Sequence, residues 1–216
     1  MTFGKSNDSR LLRLPALFFI WLFLPGAAPM SLTQTSPQSQ REEGSSGWNV
    51  EQLIESLAKN RQGEVRFEET AFSNLLTQPL KTQGFLRFTP PARLEKHITA
   101  PYDERYLVEG GTVLFESKTK STKRTLSLHD YPVLRAFIEA FRSTLANDVI
   151  TLRRFYSVTL QGEPRRWVLI LRPLDKAVQE LVESIRFSGE MEHVSGIEVL
   201  APDGDRSVMV ITTGAP

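Results

Sequence analysis

Hydrophobic positions in this chain switch between a helical and a strand period, and each switch marks an element. Trp48, Leu53, Ile54 and Leu57 fall on helical spacing, with Glu51, Glu55 and Lys59 on the opposite side. This predicts a short amphipathic helix ending near Asn60. From Glu64 the period becomes two. Val65 and Phe67 alternate with Glu64, Arg66 and Glu68; Leu86 and Phe88 alternate with Arg87 and Thr89 after a break at Gly84; Leu94 and Ile98 alternate with Glu95 and His97. Each reads as a half-buried strand. Tyr106 and Val108 lead into Glu109-Gly110-Gly111, a hairpin signal from which Val113 and Phe115 return, and Thr122–Leu128 alternates again.

One helix interrupts the strands. Asp130 and Pro132 form its start signal, and Leu134, Phe137, Ile138, Phe141 and Leu145 form a wide apolar stripe up to Asn147. Strands resume over Phe155–Leu160, turn at Gly162-Glu163-Pro164, and return over Trp167–Leu171. Ile185 and Phe187, Ile197 and Val199, then Val208 and Val210 complete the series, with the last hairpin turning at Asp203-Gly204-Asp205. Short strands joined by turns indicate an antiparallel meander rather than βαβ units. The expected class is mainly β (α+β), a large curved antiparallel sheet with helices on one face.

The first 47 residues lack such a pattern. Lys5, Arg10 and Arg13 precede an unbroken apolar run from Leu14 to Leu24, and small residues follow at Gly26, Ala27 and Ala28. The run suits a secretory leader and is shorter than the roughly 20 residues of a membrane span. Residues 1–30 are therefore expected to be a signal peptide directing export, with removal or retention as an anchor both open. Residues 31–47, rich in Ser, Gln, Thr and Gly, read as a flexible segment. Residues 48–216 form the expected domain.

The chain contains no cysteine. An exported domain without disulfides must hold together by burial, and this one is long enough to do so. Acylation on an N-terminal cysteine, thiolate zinc sites and cysteine nucleophiles are all excluded. The formal net charge is +1, falling to about −1 without the leader, so no basic footprint for nucleic acid exists. His97, His129 and His193 lie far apart without metal-ligand spacing and read as surface histidines. Glu68-Glu69 and Asp103-Glu104 are adjacent pairs whose members point to opposite faces of a strand, which makes a solvated edge the expected setting. Asp203-Gly204-Asp205 lacks further ligands for calcium, and neither Gly-x-Ser-x-Gly nor a phosphate-binding loop occurs. No enzyme chemistry, metal or cofactor is expected.

The order of motifs carries a resemblance. The opening helix leads to a Phe-centred strand, then to Gly84-Phe85-Leu86-Arg87-Phe88-Thr89-Pro90-Pro91-Ala92-Arg93-Leu94 and a Pro101-Tyr102-Asp103 break. A Glu-Gly hairpin, the long helix, Trp167-Val168-Leu169-Ile170-Leu171-Arg172-Pro173 and a late hairpin with Gly204-Asp205 complete it. From Trp48 to Thr213 this resembles the LolA family of periplasmic lipoprotein carriers. The resemblance implies an unclosed antiparallel half-barrel of about nine to eleven strands with helices covering its concave face. It also implies a monomer that takes a lipid or acylated cargo from an inner-membrane donor toward an outer-membrane acceptor. Two departures mark a divergent relative. The position of a basic residue tied to cargo release is here Pro90, and the chain stops at Pro216, short of the carriers' C-terminal extension. Such a paralogue is expected to handle another acylated molecule, an envelope lipid or polyene. A lipid-sensing or assembly-partner module without transport is the alternative.

The expected cavity takes Phe67, Leu86, Phe88, Leu94, Tyr106, Val108, Val113 and Phe115 from the early strands. Phe155, Trp167, Leu169, Leu171 and Phe187 come from the later ones. Leu134, Phe137, Ile138 and Phe141 supply either a lid or an ordinary core helix; the stripe alone fits both. Burial of ten methylenes is worth about 8 kcal/mol before binding costs. Lys118, Lys120, Lys123 and Arg124 form the most basic segment, and with Arg93 they are candidates for an anionic headgroup or a partner, against the plainer reading of a solvated hairpin edge.

Overall fold

The computed structural model describes residues 48–59 and 63–212, so the expected leader and the 31–47 segment lie outside the described residues. Helix α1 (Val50–Lys59) opens on a capping box: Asn49 Oδ1 accepts from the Gln52 amide, and Gln52 Oε1 accepts from the Asn49 amide. Its Leu53, Ile54 and Leu57 are buried as the spacing predicts, Val50 is buried with them, and Trp48, expected on the same stripe, precedes the helix and is half-buried.

A meander follows: β1 (Glu64–Phe72), β2 (Leu80–Thr89), β3 (Arg93–Ala100), β4 (Glu104–Glu109), β5 (Thr112–Ser117) and β6 (Thr122–Ser127). Helices α2 (Pro132–Leu145) and α3 (Val149–Phe155) lead to a second meander. It comprises β7 (Tyr156–Glu163), β8 (Arg166–Pro173), a single turn α4 (Lys176–Gln179), β9 (Ser184–Glu190), β10 (His193–Leu200) and β11 (Arg206–Thr212). All eleven strands form one sheet in the order β6-β5-β4-β3-β2-β1-β11-β10-β9-β8-β7. The pairing of β1 with β11 joins the two meanders, and β6 and β7 remain as edges. The sheet is an unclosed antiparallel half-barrel, and the chain must cross from one edge to the other between β6 and β7. Helices α2 and α3 make that crossing.

Three expectations need correction. Gly84 is not a break, because β2 runs through it, paired with Phe67 and Ile98. A side chain there would collide with the neighbouring strand, since an ideal Cβ would lie 1.9 Å from the His97 carbonyl oxygen. Glycine in this strand marks a close backbone approach. Phe155 does not open a strand: it is the last residue of α3, a helix hidden by its Arg153-Arg154 pair and short length. The helix start at α2 is Pro132 after Tyr131, without a side-chain cap, so Asp130 plays no capping part.

Helix α3 has its own cap. Asp148 accepts from the Thr151 amide at 2.9 Å, and that bond holds its carboxyl below the ordinary value of 3.8. Asp148→Ala is expected to cost about 1 kcal/mol in denaturant titrations. A depressed folded pKa gives stability that is present above the unfolded value and lost as pH falls through the folded one. The deficit of the variant should therefore be full at neutral pH and vanish in strong acid; a pH-independent deficit would assign it to helix propensity instead.

Candidate functional site

Register assigns the faces. Phe187 on β9 stands opposite Leu169 and Ile197, and the Phe141 ring of α2 meets it at 5.2 Å, edge to face. The face bearing Phe187 is thus the inner one, covered by helices. Following the pairings outward places Trp167, Leu169 and Leu171 of β8, Ile185 of β9 and Met209 of β11 on it, all buried. Trp167 is fully buried and donates from Nε1 to the Met191 carbonyl. Helices α1 and α3 approach β7, α4 approaches β8, and α2 meets β9 through Phe141. The Tyr156 hydroxyl ties β7 to α2 through the Ala136 carbonyl at 2.8 Å.

The other half of the inner face is different. Pairings carry the same side through Phe67 to Gly84, Ile98, Glu104 and Ser117. The next row holds Val65, Leu86, Lys96, Tyr106, Phe115 and Arg124, and the last holds Phe88, Leu94, Val108, Val113 and Leu126. Phe67, Tyr106, Val113 and Phe115 are buried. Leu86, Phe88, Leu94, Val108 and Leu126 are only half-buried and form an apolar track on the strands away from β7 and β8.

Inside this apolar face lies a polar cluster that the strand pattern did not reveal. Lys96 Nζ donates to Glu69 Oε2 at 2.6 Å, and both side chains are more than nine-tenths buried. Glu69 also accepts from the Thr82 and Ser207 hydroxyls. Glu104 is fully buried, accepts from the Tyr106 hydroxyl at 3.0 Å and is approached by Lys120 Nζ at 3.4 Å. The expectation of solvated acids therefore fails for Glu69 and Glu104, whereas Glu68, on the other face, is exposed as expected. Burial pushes the Lys96 ammonium below its ordinary value, with Glu69 pulling it back, and the Lys96 charge sits 5.0 Å from the Phe67 ring centre. The legible signal was phase: Lys96 stands between Leu94 and Ile98, and Glu69 between Phe67 and Ala71, at inward positions of their strands.

The proposed lid stripe divides. Leu134, Phe137 and Ile138 are buried, and Phe141 is half-buried between Phe137 and Phe187. Phe155, at the end of α3, lies half-buried beneath the Arg135 guanidinium. The basic residues do not converge. Arg93 pairs with Glu109, Lys118 with Asp103 and Lys123 with Glu116, while Lys120 turns to Glu104. Arg124 alone among them holds an inward register position, opposite Phe115. On the outer side, a polar groove of about 650 Å³ is lined by Glu95, His97, Asp103, Arg105, Glu116, Ser117, Lys118, Ser121, Thr122 and Lys123. Its charges are mostly paired: His97 Nε2 meets Asp103 at 2.9 Å and Arg105 meets Glu95 at 2.7 Å. Among the described residues no group of three or more His, Cys, Asp or Glu side chains is placed to hold a metal ion, and no helix is long and apolar enough to cross a membrane. Asp203-Gly204-Asp205 forms the β10–β11 turn, with Asp205 accepting from the Asn74 amide.

Comparison with solved structures finds distant likenesses. A LolA superfamily protein from Nitrosomonas europaea is 12% identical with a TM-score of 0.42, over 79% of this chain and 96% of that one. A putative outer membrane lipoprotein-sorting protein domain from Vibrio parahaemolyticus is 10% identical with a TM-score of 0.38, over 76% of this chain and 92% of that one. Pseudomonas aeruginosa MucB, solved in complex with MucA, is 14% identical with a TM-score of 0.40, over 77% of this chain and 57% of that one. No curated protein matches. The assignment rests on a family model described as outer membrane lipoprotein carrier protein LolA-like, which matches residues 44–216. With the half-barrel and its helical cover already in place, the chain belongs to this LolA-like family.

Proposed function

We propose that this protein carries a lipid or acylated cargo through the periplasm, holding the apolar part on the inner face of its sheet and performing no covalent chemistry. The observation that supports this most is the half-buried track of Leu86, Phe88, Leu94, Val108 and Leu126 on the inner side of β2, β3, β4 and β6. Apolar side chains on the covered face of a sheet ordinarily interdigitate with the opposing layer. Partial exposure there leaves surface that an acyl chain can cover, and about 0.8 kcal/mol per methylene rewards the burial.

In this reading residues 1–30 direct export, 31–47 link, and 48–216 bind. The cargo comes from an inner-membrane donor and leaves to an outer-membrane acceptor. Phe137 and Phe141 stand where α2 meets the sheet, so the helix crossing between the edges is the element that moves when cargo enters. Equilibrium titration with a fluorescent fatty acid tests the reading. Saturable uptake near one per chain is expected, and Leu94→Asp, a charge placed on the track, should weaken it by at least about tenfold, one 1.4 kcal/mol step. No uptake by the folded protein, together with a ligand-free mass when it is purified from its own periplasm, would sink it.

A further inference from the structure

The polar cluster on the inner face has an imbalance that bears on what the cargo carries. Glu69 is well compensated, by Lys96, Thr82 and Ser207. Glu104 is not. Its carboxylate has room for about four hydrogen bonds, it is fully buried, and its partners among the described residues are the Tyr106 hydroxyl and Lys120 at the long distance of 3.4 Å. Lys120 reaches it from the exposed turn between β5 and β6 and is itself 40% exposed. The cluster thus buries two carboxylates and one ammonium, and borrows its second cation from a surface turn.

Two neighbouring tyrosines share this buried setting. Burial, then Glu104 and Glu69, push the Tyr102 hydroxyl up to about 12, and burial with the Glu104 charge moves Tyr106 in the same direction. Glu104, Tyr106 and Val108 follow one another on the inner side of β4. At about 3.3 Å per residue, Val108 lies roughly 13 Å along the strand from Glu104. That is the extended reach of a chain of about ten methylenes, and the half-buried apolar track begins at that end.

We infer that the cargo of this carrier bears a primary amine, which takes the place of Lys120 on Glu104 while the apolar chain runs along β4 toward Leu94 and Val108. The inference rests on the carrier reading and names its substrate class. Lys120 then acts as a built-in surrogate, pairing with Glu104 when no cargo is bound and swinging into water when one arrives. Removing one partner of a buried charge is strongly penalised, so exchange of one ammonium for another is the route that keeps Glu104 paired throughout.

The test uses three probes of one chain length, dodecylamine, dodecanol and dodecanoate, titrated in competition with a fluorescent acyl reporter on the leaderless full domain. The amine is expected to bind at least tenfold tighter than the alcohol. Lys120→Ala leaves the buried Glu104 without its cation, so the variant is first shown to be folded by urea titration; the folded variant should then bind the amine tighter still, with alcohol binding unchanged. Glu104→Gln should erase the amine preference and keep alcohol binding. Equal affinity for all three probes would overturn the inference and leave the carrier reading standing. Tighter binding of dodecanoate would also overturn it, pointing to Lys96 as the reader of the headgroup. Uptake of none of the probes would remove the carrier reading itself.

Discussion

Replacing Lys96 with methionine is expected to lower stability by about 3–5 kcal/mol, because it strands the buried Glu69 carboxylate. The pair sits at 2.6 Å with both side chains nearly closed to water, far from the surface bridges whose loss is usually worth less than about 1 kcal/mol. Lys59–Glu55 and Arg153–Glu51 are of that second kind, each more than half exposed. The comparison variant is the double replacement of Glu69 and Lys96 by methionine. It removes both charges, and replacing a buried ion pair by apolar residues of similar volume is often neutral or stabilising, so most of the loss should be recovered. Urea midpoints of the two single variants and the double one form a closed cycle. If Lys96→Met costs under about 1 kcal/mol, the bridge is solvated in solution and the polar cluster is not a buried one.

Trp167→Ala is expected to be as damaging, at about 3–5 kcal/mol. The indole is completely buried, its Nε1 holds the Met191 carbonyl at 3.0 Å, and β9 has yielded space for it. A Cβ at Gly189, its partner in the ladder, would lie 2.4 Å from Trp167 Cζ2 and 2.0 Å from the His193 carbonyl oxygen. The alanine variant leaves a cavity and a carbonyl without its donor, on a strand flanked by neighbours on both sides. Trp167→Phe restores most of the volume without the hydrogen bond, so calorimetric comparison of the two separates packing from bonding. A midpoint unchanged in the alanine variant would mean the site collapses freely.

Much of the sheet could be read from alternation, because one covered face imposes a period of two. That period points Phe67, Tyr106, Phe115, Leu169 and Phe187 inward, and all are buried. Helix α2 was legible because its stripe is long. Helix α3 was not, since seven residues with a single buried position, Leu152, give no period to count. The polar cluster escaped for a different reason. Charge in a sequence is read as exposure, yet Glu69 on β1 is paired with Lys96 on β3, and Glu104 is held by the Tyr106 hydroxyl and Lys120; only the folded sheet brings these partners together. The basic segment failed in the converse way. Lys118, Lys120 and Lys123 are adjacent in sequence, but the hairpin sends them to separate carboxylates.

The seam between β1 and β11 sets the order in which this sheet can assemble. Within each meander every strand pairs with its neighbour in sequence, so both can form through short loop closures. Phe67, by contrast, meets Ile211, almost the whole domain away. A chain that emerges amino-terminus first must therefore hold β1 with one edge open until its last strand is available. During that interval the edge is a template for pairing with any other chain. Glu64, Arg66 and Glu68, alternating along the exposed side of β1, put charge on that waiting edge. The same residues that look like ordinary surface in the finished protein act as its guard against aggregation while the sheet is still in two halves.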